Sequence, residues 1–144
     1  MKRTDIVMKD VFISWTGKDR ELKDLIVQFL NSNGISCLES DESCSGDFRE
    51  WSKEAVNACS VFLLILTENT LKSKYVPIEI EEVKKLDDWE NRVVPVCMNM
   101  ELYQKHSWGL HESESAVVLG DQIPANEHLS AILHKTIDLL IHRQ

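Results

Sequence analysis

In the stretch SKYVPIEIEEV, residues 73–83, an aromatic residue and a carboxylate stand four positions apart, Tyr75 and Glu79. On a helix, a rotation of about 100° per residue sets them on one row, one turn apart. The same rotation stacks Val76, Ile80 and Val83 into a stripe facing a core, with Tyr75, Glu79, Glu82 and Leu86 along its flank. Glu79 then meets the edge of the core beside an aromatic ring, whereas Glu81 and Lys85 point to water. A carboxylate held there suits a site. It is also the position of an ordinary boundary glutamate, the commoner case, and this stretch alone leaves both readings open.

Other residue types that carry chemistry are less pointed. The four cysteines, Cys37, Cys44, Cys59 and Cys97, form no C-x-x-C pair, so neither a zinc site nor a redox motif is signalled and no metal is expected. Three of them fall in or beside apolar segments and read as reduced core thiols. The five histidines lack ligand spacing; His106 and His111 lie in an irregular stretch. A net charge of -8 argues against a general nucleic-acid role, which needs a basic stripe to displace counterions. A small phosphate-bearing ligand needs only local donors, and Lys18, Arg20, Arg49 and Lys53 gather around two predicted loops.

These residues need a scaffold, and the pattern of the chain supplies one. At 144 residues, with 43% apolar and 28% charged positions, the composition is that of one soluble globular domain over residues 1–144. No apolar run approaches the roughly 20 residues of a membrane span, and MKRTDIVMKD has no signal-peptide core, so a cytoplasmic protein away from membranes is expected. DVFIS reads as a strand. RELKDLIVQFLNSNG reads as a helix with Leu22, Leu25, Ile26, Phe29 and Leu30 inward, closing on Gly34. ISCLES is a second strand, DESCSGD a loop, and FREWSKEAVNAC a helix with Trp51 as a core anchor. SVFLLIL is an uninterrupted apolar run, the mark of a strand buried on both faces. After TENTLKSK comes the helix that carries Glu79, with Trp89 packing at its end and Glu81, Glu82, Lys84, Lys85, Asp87 and Asp88 forming a solvated face. RVVPVCM and AVVLGD complete five strands, and NEHLSAILHKTIDLLIHR closes the chain as an amphipathic helix. NMELYQKHSWGLHESES shows no clear period.

Alternating strands and helices imply an α/β, flavodoxin-like fold: a five-stranded parallel sheet of order 2-1-3-4-5 with helices on both faces. In such sheets ligands bind outside the carboxyl ends of the strands, where the order reverses, here between the first and third strands. The loops concerned are SWTGKD, SDESCSGD and TENTLKSKY, and the last leads directly to Tyr75 and Glu79. Neither G-x-x-x-x-G-K-[ST] nor G-x-G-x-x-G occurs, which excludes a P-loop and a dinucleotide fingerprint. A phosphoryl-accepting receiver would need an Asp ending the third strand, where the sequence reads LILTEN. SWTGKD has the Ser, Thr and Gly of a loop that could cradle a flavin phosphate, so an FMN-binding flavodoxin-like protein stays open, as does a plain turn into a helix.

With the elements placed, the chain resembles a Toll/interleukin-1 receptor (TIR) domain over nearly its whole length. DVFISW is similar to the family's first box, SDESCSGD occupies the place of its BB loop, with Gly46 before the next helix, and ACSVFLLILTENTLKSKYVPIEI is similar to the run in which a buried strand leads to S-x-[WY]-[VC]-x-x-E. Ser73, Tyr75, Val76 and Glu79 supply that last motif.

The resemblance, closest to bacterial NAD+-cleaving members, implies an NAD+ glycohydrolase or ADP-ribosyl cyclase that breaks the nicotinamide–ribose bond, in bacterial anti-phage signalling. NAD+ is then substrate, with no separate cofactor. The resemblance makes Glu79 the catalytic carboxylate and Tyr75, where bacterial enzymes usually carry Trp, the ring that stacks near the nicotinamide. Ser14, Trp15 and Asp41 complete the substrate-binding set. Homotypic TIR–TIR assembly would run through the BB loop, Ser43, Cys44, Ser45 and Gly46, and would activate the enzyme. The alternative within the family is a scaffold without catalysis that acts through homotypic contacts alone.

Overall fold

The computed structural model describes residues 8–41, 47–106, 110, 116–120 and 124–142. Five strands, β1 (Lys9–Ser14), β2 (Cys37–Glu39), β3 (Cys59–Leu66), β4 (Val93–Cys97) and β5 (Val117–Val118), form one parallel sheet in the order β2-β1-β3-β4-β5. The helices are α1 (Arg20–Ser32), α2 (Phe48–Asn57), α3 (Val76–Lys84), α4 (Met100–His106) and α5 (Asn126–His142). Among the described residues no helix is long and apolar enough to cross a membrane.

Strand alternation divides the core into two layers. Val11, Ile13, Val61, Leu63 and Ile65 face one way and pack with Ile26 and Leu30 of α1 and Ile132 of α5. Phe12, Phe62, Leu64 and Leu66 face the other way, towards Ala55 of α2 and Val76, Ile80 and Val83 of α3. All but one of the eight β3 residues are buried, as a strand covered on both faces requires. Trp51 packs on Phe12, with ring centroids 6.1 Å apart, and Trp89 lies against the same layer.

Local chemistry sets the ends of the elements. Gly34 takes φ 82° just past α1 and its N–H donates to the Asn31 carbonyl, a left-handed turn that a side chain would strain. Thr67 and Thr70 exchange side-chain bonds with each other's backbone at the turn Glu68–Lys72, which holds the chain leaving β3. The Ser73 hydroxyl accepts the N–H groups of Tyr75 and Val76, both at 3.1 Å, and Pro77 occupies the first turn of α3, where its missing N–H is harmless.

Leu25, expected inward, is 37% exposed, and helix α4 and Glu82 also differ from the sequence expectations. Helix α4 lies in the stretch without a period because only Tyr103 of its seven residues is buried; the Asn99 side chain accepts the Leu102 N–H at its start, and the Tyr103 hydroxyl donates to the Leu110 carbonyl. Glu82, grouped by sequence with a solvated face, is only 3% exposed and pairs with Lys85 at 3.0 Å; the rotation of α3 turns it away from water.

Candidate active site

Glu79 is fully buried, and both of its carboxylate oxygens are engaged. The Ser14 hydroxyl donates to Oε1 at 2.7 Å, and the Ser40 hydroxyl donates to Oε2. Ser14 ends β1 and Ser40 follows β2, which pairs with β1 in the register Ile13↔Glu39. Side chains alternate along strands, so both serines project from the same face as Phe12 and Leu38, towards α3. The Glu79 N–H donates to the Tyr75 carbonyl, placing Tyr75 one turn back along the helix.

Tyr75 is half-buried and meets Phe48 edge to face, with ring centroids 4.6 Å apart and planes at 67°. Phe48 opens α2, and Asp47 before it caps the helix by accepting the Arg49 N–H. Sequence reasoning did not select Phe48. Its position as an aromatic residue directly after the loop and at the start of a helix was the available signal. The Arg49 guanidinium pairs with Glu81 at 2.9 Å and ties α2 to α3.

Trp15 stands on the other face of β1 from Ser14. Its Nε1–H donates to the Ser40 carbonyl at 3.2 Å, so it touches the site through the backbone of a residue that holds Glu79. The Arg20 guanidinium lies 5.1 Å and the Lys23 ammonium 4.6 Å from its ring centroid. Lys23 is itself only 3% exposed and is held by Asp24 and Glu39. Burial opposes the charge on Lys23, but the bonds and charges of those two carboxylates outweigh it and raise the pKa above 10.5. Asp41 is exposed and adjoins Ser40. Ser43, Cys44, Ser45 and Gly46 lie outside the described residues. The structure therefore brings together Glu79, Ser14, Ser40, Tyr75 and Phe48, and sets Trp15 behind them.

A second arrangement braces the carboxyl edge of the sheet. Asp19 is buried between α1 and the turn after β3, where it accepts the Thr67 hydroxyl at 2.7 Å and the Asn69 side-chain amide at 2.9 Å. Beside it, at the ends of β1, β3 and β4, opens a cavity of about 820 Å³ whose lining does not include Glu79. Among the described residues no group of three or more His, Cys, Asp or Glu side chains is placed to hold a metal ion.

A family model described as TIR domain matches residues 11–132. No curated protein matches the chain. Among solved structures, a metazoan TIR-STING receptor from C. gigas superposes with a TM-score of 0.70 at 15% identity, covering 90% of this chain and 40% of that one. The TIR domains of the activated Roq1 resistosome, which directly recognises the pathogen effector XopQ, superpose with a TM-score of 0.53 at 16% identity, covering 90% of this chain and 84% of that one. A flavodoxin-like domain from Synechococcus sp. gives 0.57 at 17% identity, covering 94% of this chain and all of that one. At these identities the likenesses show a shared fold. The family match over residues 11–132, with the strand order β2-β1-β3-β4-β5 in agreement, places the chain in the TIR domain family.

Proposed function

We propose that this TIR domain cleaves NAD+ at the bond between nicotinamide and ribose, with Glu79 as the catalytic carboxylate. The observation that carries the reading is a carboxylate fully buried at the carboxyl ends of β1 and β2, aligned by one hydroxyl on each oxygen, beside the Tyr75–Phe48 aromatic pair. Cleavage of an ordinary glycoside needs an acid because an alkoxide leaves poorly. The nicotinamide of NAD+ is cationic when bound to ribose and departs neutral, so one carboxylate suffices. As the bond breaks, positive charge gathers on the ribose carbon and ring oxygen, and the Glu79 carboxylate stabilises it; one interaction of this kind is worth roughly 3 to 4 kcal/mol. Tyr75 and Phe48 offer flat apolar surface for the departing ring. Water or a group of the same nucleotide then takes the ribose carbon, giving linear or cyclic ADP-ribose.

In the single chain Glu79 has no exposed surface, so a substrate reaches it only after the surrounding contacts rearrange. We therefore place turnover in a homotypic assembly of the domain, in keeping with the resistosome that contains the Roq1 TIR domains, and assign the activity to immune signalling. The test is nicotinamide release from NAD+ across protein concentrations, with Glu79→Gln alongside. Release per chain should rise with concentration and vanish in the variant.

The same burial favours a second reading, in which Glu79 is a structural clasp between α3 and the ends of β1 and β2 and the domain is a scaffold that acts by homotypic contact. Absence of nicotinamide release from assembled, folded protein would select it.

A further inference from the structure

The cavity at the carboxyl ends of β1, β3 and β4 has the size and chemistry of a second ligand site. Its volume of about 820 Å³ lies within the range of small-molecule pockets, roughly 300 to 1,000 Å³. One wall is apolar, made by Leu22 and Leu25 of α1 with Met98 and Leu102, and Leu25 remains 37% exposed despite its place in the helix's apolar stripe. That wall is uncovered in the folded chain and suits a flat ring.

Two carboxamides give the cavity its polarity. Asn69 donates its amino group to Asp19, and Asn99 uses its oxygen to accept the Leu102 N–H. The Asn69 oxygen and the Asn99 amino group carry no protein hydrogen bond among the described residues, and both residues line the cavity. The pair thus offers one acceptor and one donor, the complement of a heterocycle edge with an exocyclic amine and a ring nitrogen, as adenine has.

Charge decides what accompanies the ring. Asp19 is occupied by Thr67 and Asn69, and the Arg20 guanidinium lies over Trp15. The lining holds two cations, Lys18 and Arg20, against three carboxylates, Asp19, Glu21 and Glu68, so the rim is negative on balance and disfavours a phosphate, while carboxylates accept sugar hydroxyls. We propose that this cavity binds a nucleoside, with a purine edge on Asn69 and Asn99, its face on the leucine wall and its sugar hydroxyls towards Glu21 or Glu68. The site is separate from Glu79, and the inference does not depend on the function proposed for that residue.

The test is titration of the whole chain with adenosine and with AMP, followed by two-dimensional NMR that reports the Asn69 and Asn99 side-chain amides. Saturable shifts of those amides by adenosine, with weaker binding of AMP, are expected. Asn99→Asp keeps the oxygen that caps α4 and removes the donor, and should weaken adenosine by about tenfold or more. Leu25→Arg, at a position already part-exposed, should block the wall. No saturable shift, AMP binding tighter than adenosine, or undiminished binding by Asn99→Asp and Leu25→Arg would each overturn the proposal.

Discussion

The Ser14 hydroxyl lies 2.7 Å from Oε1 of Glu79, a bond that joins the end of β1 to the first turn of α3 across 65 residues of sequence. Ser40 completes the arrangement from the end of β2, and Trp15 holds the Ser40 carbonyl from the opposite face. A buried carboxylate without donors would cost several kcal/mol, so these hydroxyls are a condition for Glu79 being where it is. They also fix the direction in which its oxygens point, which any role in stabilising developing charge requires.

Hydrogen bonds to charged groups are worth about 1.5 to 3 kcal/mol, so Ser14→Ala and Ser40→Ala should each lower the unfolding free energy by roughly that amount. Urea denaturation checks the size, and a double-mutant cycle checks the cause. In a Glu79→Leu background the serine hydroxyl loses its acceptor, and Ser14→Ala should become neutral or stabilising. An equal loss in both backgrounds would mean that Ser14 acts through something other than Glu79.

The Tyr75–Phe48 contact makes a separate expectation about the proposed activity. An edge-to-face pair contributes about 0.5 to 1.5 kcal/mol beyond burial, and a cycle of Tyr75→Ala with Phe48→Ala should recover a coupling of that size. The Tyr75 hydroxyl makes no hydrogen bond among the described residues, so Tyr75→Phe should leave stability and turnover unchanged. If the pair receives the nicotinamide ring, Tyr75→Ala should raise KM for NAD+ more than it lowers kcat. A fall in kcat alone, with KM intact, would place the ring away from the substrate.

Much of this arrangement was legible in the sequence. The apolar run of β3 announced a central strand, and Val76, Ile80 and Val83 correctly set the buried face of α3. The partners of Glu79 were harder to read. The resemblance singles out Ser14, the last residue of β1, but Ser40 reaches Glu79 only because β1 and β2 pair in one register, and a shift of one residue would turn it to the other face. Lys23 lies outside the apolar stripe of α1, yet it is buried because Asp24, Glu39 and the Trp15 ring together replace its water. Leu25 reads as core and is part-exposed because the helix carries it to the cavity at the sheet edge. Each of these depends on contacts between distant segments, which periodicity does not encode.

The buried ionisable groups predict how stability responds to alkali. Burial pushes Cys37 and Cys59 from 9.0 up to about 12 and Cys97 up to about 11, with the charges of Glu39 and Asp10 adding to the effect at Cys37. Burial likewise raises Tyr103 from 10.0 to about 12, and Lys23 is raised by its carboxylate partners against the opposing effect of burial. In every case the folded protein holds its proton more tightly than the unfolded chain. These contributions are complete below pH 9, where both states are protonated, and are lost as the pH rises towards 11 to 12, because the unfolded thiols, phenol and ammonium give up their protons first. The urea midpoint should therefore fall steadily above about pH 9. General repulsion in a chain of net charge -8 would also lower it, and Cys59→Ala separates the two causes. That variant should start less stable at neutral pH, because a buried side chain is truncated, and then show a shallower decline above pH 9 than the parent. Parallel declines would assign the alkaline loss to overall charge rather than to the buried thiol.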